Sequence, residues 1–224
     1  MEIYPSLISC DVLNLATTLT TLNAHVDGYH IDIMDDHFVP NLTWGPTLVN
    51  ALAGATTKPL QLHLMVDNPA SWVSRLQLQA KDSFVFHREV LKDVRDGMRL
   101  IEELQKRGIK TGLALNPQTG LEKLTPFAEL LDEVLLMSVN PGFSGQKFIE
   151  SARDKVPALV QLREQENFNF KICMDGGIGP DNICSLQQVG VDMVSVASAI
   201  FSSKNYVEAL KNLYSLLGKS EKST

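Results

Sequence analysis

Cysteine is scarce and scattered in this chain: Cys10, Cys173 and Cys184 are the only three among 224 residues, and no two form a CxxC pair. An odd, dispersed set excludes a disulfide framework and a zinc-finger motif, and it predicts reduced thiols in a cytoplasmic protein. Positive charge is also in deficit. Twenty Lys and Arg against 26 Asp and Glu leave a net charge of −6, without the basic stripe that a nucleic-acid-binding surface needs. A small phosphorylated substrate stays open, because backbone N–H groups bind phosphate without any lysine. No apolar run is long enough to span a bilayer, and Met1-Glu2-Ile3-Tyr4-Pro5 lacks the basic and apolar regions of a signal peptide. No membrane partner is expected. Low-complexity linkers are missing too, so a single domain is predicted over residues 1–224, with a short frayed tail from about 218.

What the chain does have is short apolar segments with amphipathic stretches between them. Strands are predicted near 3–8, 28–34, 59–66, 83–88, 110–116, 133–140, 170–175 and 193–198, with helical patterns such as Leu13–Leu22, Gly97–Lys106, Lys155–Gln165 and Asp181–Val189 between them. Eight strands alternating with helices predict a parallel sheet closed into a (β/α)₈ TIM barrel. A doubly wound open sheet would want a GxGxxG turn after its first strand, and Pro5–Cys10 offers nothing of the kind.

Residues 30–36 read His-Ile-Asp-Ile-Met-Asp-Asp. The alternation is that of a strand, so His30, Asp32 and Met34 share one face and Ile31 and Ile33 the other. An imidazole beside a carboxylate on a buried face carries a desolvation cost that a bound cation would offset. Gln61-Leu62-His63-Leu64-Met65 adds a second histidine, and Cys173-Met174-Asp175-Gly176-Gly177 a second carboxylate. Taken singly, each has a plain structural explanation: a strand-end histidine is often only hydrogen-bonded, and an Asp before Gly-Gly is often a turn residue. Four of them late in their strands fall at the C-terminal mouth of one barrel, where active sites of this fold sit. His30, Asp32, His63 and Asp175 are therefore the candidate ligands of one divalent metal. Mixed N and O donors suit Zn²⁺, Fe²⁺, Mn²⁺ or Co²⁺ better than Ca²⁺, and ligands alone do not choose among them.

Glycine-rich turns follow three of the predicted strands: Asn140-Pro141-Gly142-Phe143-Ser144-Gly145-Gln146, Asp175-Gly176-Gly177-Ile178-Gly179-Pro180, and Val196-Ala197-Ser198-Ala199-Ile200. One such loop is ordinary turn chemistry; three at one mouth predict a phosphate cradle resting on N–H groups and helix dipoles. Met34, Met65 and Met137 each end a strand. They read equally well as core gap-fillers and as an apolar lid that keeps water off a reactive intermediate. His87 has no partner visible in its neighbours and is left unassigned, as are His25 and His37.

Six stretches strongly resemble the ribulose-phosphate 3-epimerase family: His30-Ile-Asp-Ile-Met-Asp, His37-Phe-Val-Pro-Asn, Leu62-His-Leu-Met-Val, Met137-Ser-Val-Asn-Pro-Gly-Phe, Gly145-Gln-Lys-Phe and Asp175-Gly-Gly-Ile. The resemblance runs from Pro5-Ser6 to Phe201. It implies a metal-dependent barrel of the ribulose-phosphate-binding type in the pentose phosphate pathway, interconverting D-ribulose 5-phosphate and D-xylulose 5-phosphate. It implies that Asp32 and Asp175 double as the acid–base pair, and that zinc comes first among the candidate ions. Ser6, His63, Gly142, Phe143, Ser144, Gly145, Asp175, Gly176, Gly177, Ala197 and Ser198 would hold the substrate, and a homo-oligomer is expected. Three positions depart from the family's pattern: Asp36 and Ala197 stand where glycine is usual, and Arg88 separates His87 from Glu89. Asp36 is either an added carboxylate near the metal or a turn residue tolerant of left-handed geometry. Two other readings remain: a 3-epimerase of a six-carbon ketose phosphate such as D-allulose 6-phosphate, and a barrel that binds a sugar phosphate without turnover.

Overall fold

A computed structural model of the chain describes residues 1–219. Eight parallel strands run β1 (Glu2–Pro5), β2 (Tyr29–Met34), β3 (Leu60–Met65), β4 (Ser83–His87), β5 (Lys110–Leu115), β6 (Glu133–Met137), β7 (Lys171–Asp175) and β8 (Met193–Val196). Each pairs with its neighbour in sequence, β8 pairs with β1, and a bridge between Ser6 and His30 joins β1 to β2. The sheet thus closes into a barrel. Around it lie α1 (Leu15–Leu22), α2 (Pro46–Ala55), α3 (Ala70–Val73), α4 (Val94–Lys106), α5 (Glu150–Arg153), α6 (Val156–Gln165), α7 (Ile183–Val189), α8 (Ser198–Phe201) and α9 (Tyr206–Leu216).

The alternation within each strand sorts side chains between two environments. Ile31, Ile33, Leu62, Leu64, Phe84 and Phe86 face outward into one apolar cluster with helix residues such as Leu100, Ile101 and Leu104. The inward positions hold a smaller cluster that includes Tyr4, Val85, Ala114, Leu135 and Cys173, together with the polar residues discussed below. Helix α4 begins where Asp93 accepts the amide of Asp96, an N-cap, and its buried stripe is the i, i+3, i+4, i+7 pattern of Gly97, Leu100, Ile101 and Leu104.

The predicted strands all occur, most of them shorter at their C-terminal ends. Beyond Met137, the Ser138 amide donates to Asp175 O and its hydroxyl reaches the Asp175 and Gly176 carbonyls, so the chain turns toward the β7 loop instead of extending to 140. Leu7 and Ile8, expected at the end of the first strand, belong instead to the 3₁₀ turn Leu7–Ser9. The strict alternation of strand and helix also fails once: β5 connects to β6 through the 3₁₀ turns Leu121–Lys123 and Ala128–Leu130. Gly120 and Pro126 punctuate that stretch and deny it a full helix. Among the described residues no helix is long and apolar enough to cross a membrane. At the end of α9 the amides of Gly218 and Lys219 bond back to Ser215 O and Tyr214 O, with Gly218 at φ +68°. The rest of the expected frayed tail, residues 220–224, lies outside the described residues.

Candidate active site

His30, Asp32 and Met34 point into the barrel because Ile31 and Ile33 take the outward face, and strand register fixes their neighbours. Asp32 pairs with His63, Met34 with Met65 and His30 with Gln61. Met137 and Asp175 pair across β6 and β7, and Asp175 pairs with Ser195. The four expected ligands therefore meet. One donor atom from each of His30, Asp32, His63 and Asp175 lies within 4.8 Å of the others. Asp32 Oδ1 is 3.1 Å from both His30 Nε2 and His63 Nδ1, and Asp175 Oδ2 is 3.7 Å from the same two nitrogens. A tetrahedral ion with bonds of about 2.0–2.1 Å has ligand atoms roughly 3.3–3.4 Å apart. The observed spacings straddle that value, so the donor set fits a small divalent transition ion.

Burial and charge set the two carboxylates apart. Burial alone would raise the Asp32 pKa, but the charge of His30 and hydrogen bonds from His30 and His63 hold it well below the usual range. Ser6 Oγ adds a 2.5 Å hydrogen bond to Asp32 Oδ2. Asp175 goes the other way: burial raises it and the neighbouring Asp32 charge adds to that, against the opposing charges of His30 and His63. For His30 burial works downward, but the charges of Asp32 and Asp175 prevail and push its pKa up to about 9. His63 is lowered by burial, with His87 adding to the effect.

The cavity above this cluster is lined by Ser6, Asp32, Asp175, the methionines Met34, Met65 and Met137, and the loops after β6, β7 and β8. All three methionines are buried and form its apolar wall. Gly142, Phe143, Ser144, Gly145, Gly176, Gly177, Ala197 and Ser198 also line it. The glycines of the β7 loop are required there. Gly176 has φ +114°, and a Cβ on it would sit 2.3 Å from Val139 Cγ2; Gly177 has φ +65°, and a Cβ would sit 2.6 Å from the Phe148 amide nitrogen. Ala197 has φ −104°, outside the left-handed region that favours glycine. Asp36 is exposed with φ +59°, so it is a left-handed turn residue and not an added carboxylate at the metal cluster.

Several residues of the site went unread in the sequence. His87 has two partners after all: its Nε2 is 2.8 Å from His63 Nε2, and its Nδ1 is 3.2 Å from Glu89 Oε2. Glu89 is pinned by the Asn116 amide and the Thr119 hydroxyl. Gln146 ties the β6 loop together by donating to Asn140 O and Phe143 O, and Asn41 Nδ2 reaches Gly142 O from the other side. A carboxamide four residues after Pro141-Gly142 was the available signal for Gln146. For His87 the signal was the His-x-Glu spacing.

A profile of the Ribulose-phosphate 3 epimerase family matches residues 2–201. This chain belongs to the ribulose-phosphate 3-epimerase family. It is 39% identical over 214 residues to the ribulose-phosphate 3-epimerase of Helicobacter pylori, covering 95% of this chain and 96% of that one. It is 36% identical over 219 residues to that of Escherichia coli, covering 97% and 96%. The protein is accordingly an epimerase, an isomerase acting on ribulose phosphate. Among solved structures it is similar to KGPDC from Streptococcus mutans in complex with D-R5P, at a TM-score of 0.70, 13% identity and 97% of each chain. It is also similar to 3-hexulose-6-phosphate synthase, at 0.67, 13% identity and 96% and 99% of the two chains. These likenesses speak for the barrel alone.

Proposed function

We propose that the reaction is the reversible, metal-assisted epimerisation at C3 of D-ribulose 5-phosphate to D-xylulose 5-phosphate, with Asp32 and Asp175 as the two acid–base groups. One divalent ion, zinc first among Zn²⁺, Fe²⁺, Mn²⁺ and Co²⁺, is held by His30, Asp32, His63 and Asp175. The observation that carries this reading is the convergence of two buried histidines with two carboxylates of opposite pKa displacement, both of which line one cavity.

The C3 proton lies alpha to the C2 carbonyl, and inversion requires its removal from one face and its return to the other. The cation, when bound, stabilises negative charge developing on the C2 oxygen. Asp32 and Asp175 come from strands β2 and β7 and serve the two faces, one as base while the other holds the proton. Ser6 fixes the rotation of the Asp32 carboxylate through Oδ2. Met34, Met65 and Met137 keep bulk water from the planar enediolate. The loops carrying Gly142–Gly145, Gly176–Gly177 and Ala197-Ser198 hold the substrate and its phosphate, the latter largely on backbone N–H groups.

This reading places the protein in the pentose phosphate pathway and the cytoplasm. We also propose a homo-oligomer, supported by the exposed Val12 and Leu13 of the 3₁₀ turn Val12–Asn14 and by the exposed Leu42. A coupled assay on D-ribulose 5-phosphate and a six-carbon ketose 3-epimer, run before and after chelation and again after zinc is returned, tests the proposal. Turnover of the pentose that vanishes on chelation and returns with metal is expected. Full activity in a preparation shown metal-free by elemental analysis would refute the metal assignment.

A further inference from the structure

We infer that Gln61 and Glu133 form a positioning pair that presents His30 to the cation through Nε2. Gln61 Oε1 is 2.7 Å from His30 Nδ1, and Gln61 Nε2 donates to Glu133 Oε2 at 2.6 Å. All three residues are buried, at 1%, 0% and 7% exposure for Gln61, His30 and Glu133. Ser83 Oγ donates to the same Glu133 oxygen at 3.1 Å.

The logic is one of donors and acceptors. A carboxamide has an NH₂ end and a carbonyl end, and a carboxylate only accepts. Glu133 therefore claims the NH₂ end of Gln61. The carbonyl end is left facing His30, where it accepts only if Nδ1 carries the proton. That leaves the Nε2 lone pair for the cation, on the side where Asp32 Oδ1 lies 3.1 Å away. Outer partners of a ligating histidine fix its tautomer and ring orientation in this way. The contact spans the barrel interior from β6 to β3, and the β5 residue in register with Glu133 is Gly112, which has no side chain to stand between them.

The inference rests on the metal reading above, and its test separates the two. Zinc affinity is measured by competition with a chelator for the wild type, for Gln61→Met and Glu133→Met, and for the exchange Gln61→Glu/Glu133→Gln. Selective ¹⁵N-histidine spectra of the zinc-loaded proteins are recorded alongside. Each methionine variant should bind zinc about 10–100-fold more weakly, and the exchange, which rebuilds an amide donor facing a carboxylate, should recover to within about threefold. The wild-type spectrum should show a protected proton on His30 Nδ1. A folded methionine variant that binds zinc like the wild type would overturn the pair's role. So would a folded exchange variant as weak as the single ones, or a His30 that carries its proton on Nε2. A wild type that takes up no zinc sinks the metal reading and this role with it. Normal loading of Gln61→Met sinks the pair alone.

Discussion

Asp32 sits within β2 with its side chain 5% exposed, receives a hydroxyl from Ser6, and lies 3.1 Å from each histidine. Asp175 ends β7 with its side chain 14% exposed and stands 3.7 Å from the same histidines. The first is held as an anion by the two histidines against the cost of burial, whereas the second shares the pocket with that anion and is pushed, by burial first, toward its neutral form. Two identical carboxylic acids are thus displaced in opposite directions from the usual carboxylate range. Coupled groups of this kind titrate as a pair, and a reaction that passes a proton from one face of a substrate to the other needs one full site and one empty one. The asymmetry comes from position: a mid-strand residue is enclosed by its neighbours, and a strand-end residue opens onto the loops.

The largest expected effect comes from removing either member. Asp32→Asn and Asp175→Asn should each lower kcat by about 10²–10⁴-fold, the usual worth of a positioned acid or base. The two variants should then differ in kind. With metal content checked, one variant should exchange the C3 proton of one epimer with solvent deuterium, and the other should prefer the opposite epimer. Equal exchange of both epimers by a single metal-loaded variant, followed by NMR, would show that the faces are not divided between these residues.

A smaller change should make Asp32 resemble Asp175. Ser6→Ala removes a buried hydrogen bond to a charged oxygen, worth about 1.5–3 kcal/mol, so kcat/KM should fall by about 10–100-fold. The Asp32 carboxylate loses part of its stabilisation, and the acidic limb of the pH–rate profile should move to higher pH. An acidic limb that stays in place would mean that Ser6 only fills space.

A third test uses the cluster without its ion. In the metal-free protein a protonated His30 takes the place of the cation between the carboxylates, with its pKa raised from 6.5 to about 9. A folded pKa above the unfolded one gives stability that is complete below pH 6.5 and lost as pH rises through about 9. The metal-free protein should therefore lose stability on the order of 2–3 kcal/mol between pH 7 and pH 10, read as a fall in its thermal midpoint. Zinc should flatten that dependence, and its affinity should rise with pH because binding expels the proton. A metal-free midpoint that is level across this range would contradict the raised His30 pKa.

The barrel and the cluster of His30, Asp32, His63 and Asp175 were legible because each segment carries its own local signal. The alternation in His30–Met34 declares which face is buried, and a charged pair on a buried face is conspicuous in any sequence. Residues acting across the barrel were not. Gln61 and Glu133 are 72 positions apart in the chain, and nothing in either segment announces the other. His87 meets His63 from the adjacent strand one residue pair above the register partner Val85, so only the folded register brings them together. The predicted strand ends ran too far for a related reason: Leu7 continues the apolar pattern of β1, but its carbonyl accepts the Cys10 amide in a 3₁₀ turn, and beyond Met137 the Ser138 hydroxyl is tied to the Asp175 and Gly176 carbonyls. The stretch between β5 and β6 departs from the regular repeat of strand and helix, and Gly120 and Pro126 were the signal in the sequence that could have shown it.

The smallest effect belongs to Ala197, a control that leaves both carboxylates untouched. It precedes α8 on the loop after β8, its carbonyl accepts the amides of Ile200 and Phe201, and its φ of −104° lies outside the left-handed region that favours glycine. If its loop contributes only backbone contacts to the phosphate, alanine leaves those contacts in place. Ala197→Gly should then shift KM modestly, by about twofold to threefold, and leave kcat nearly unchanged, the signature of interactions equal in ground and transition states. The deuterium exchange preferences of the two Asp→Asn variants should be the same in either background. A large fall in kcat would mean that this loop, beside the Asp175 end of the barrel, shapes the transition state, and that the difference between the two aspartates extends to the loops each one faces.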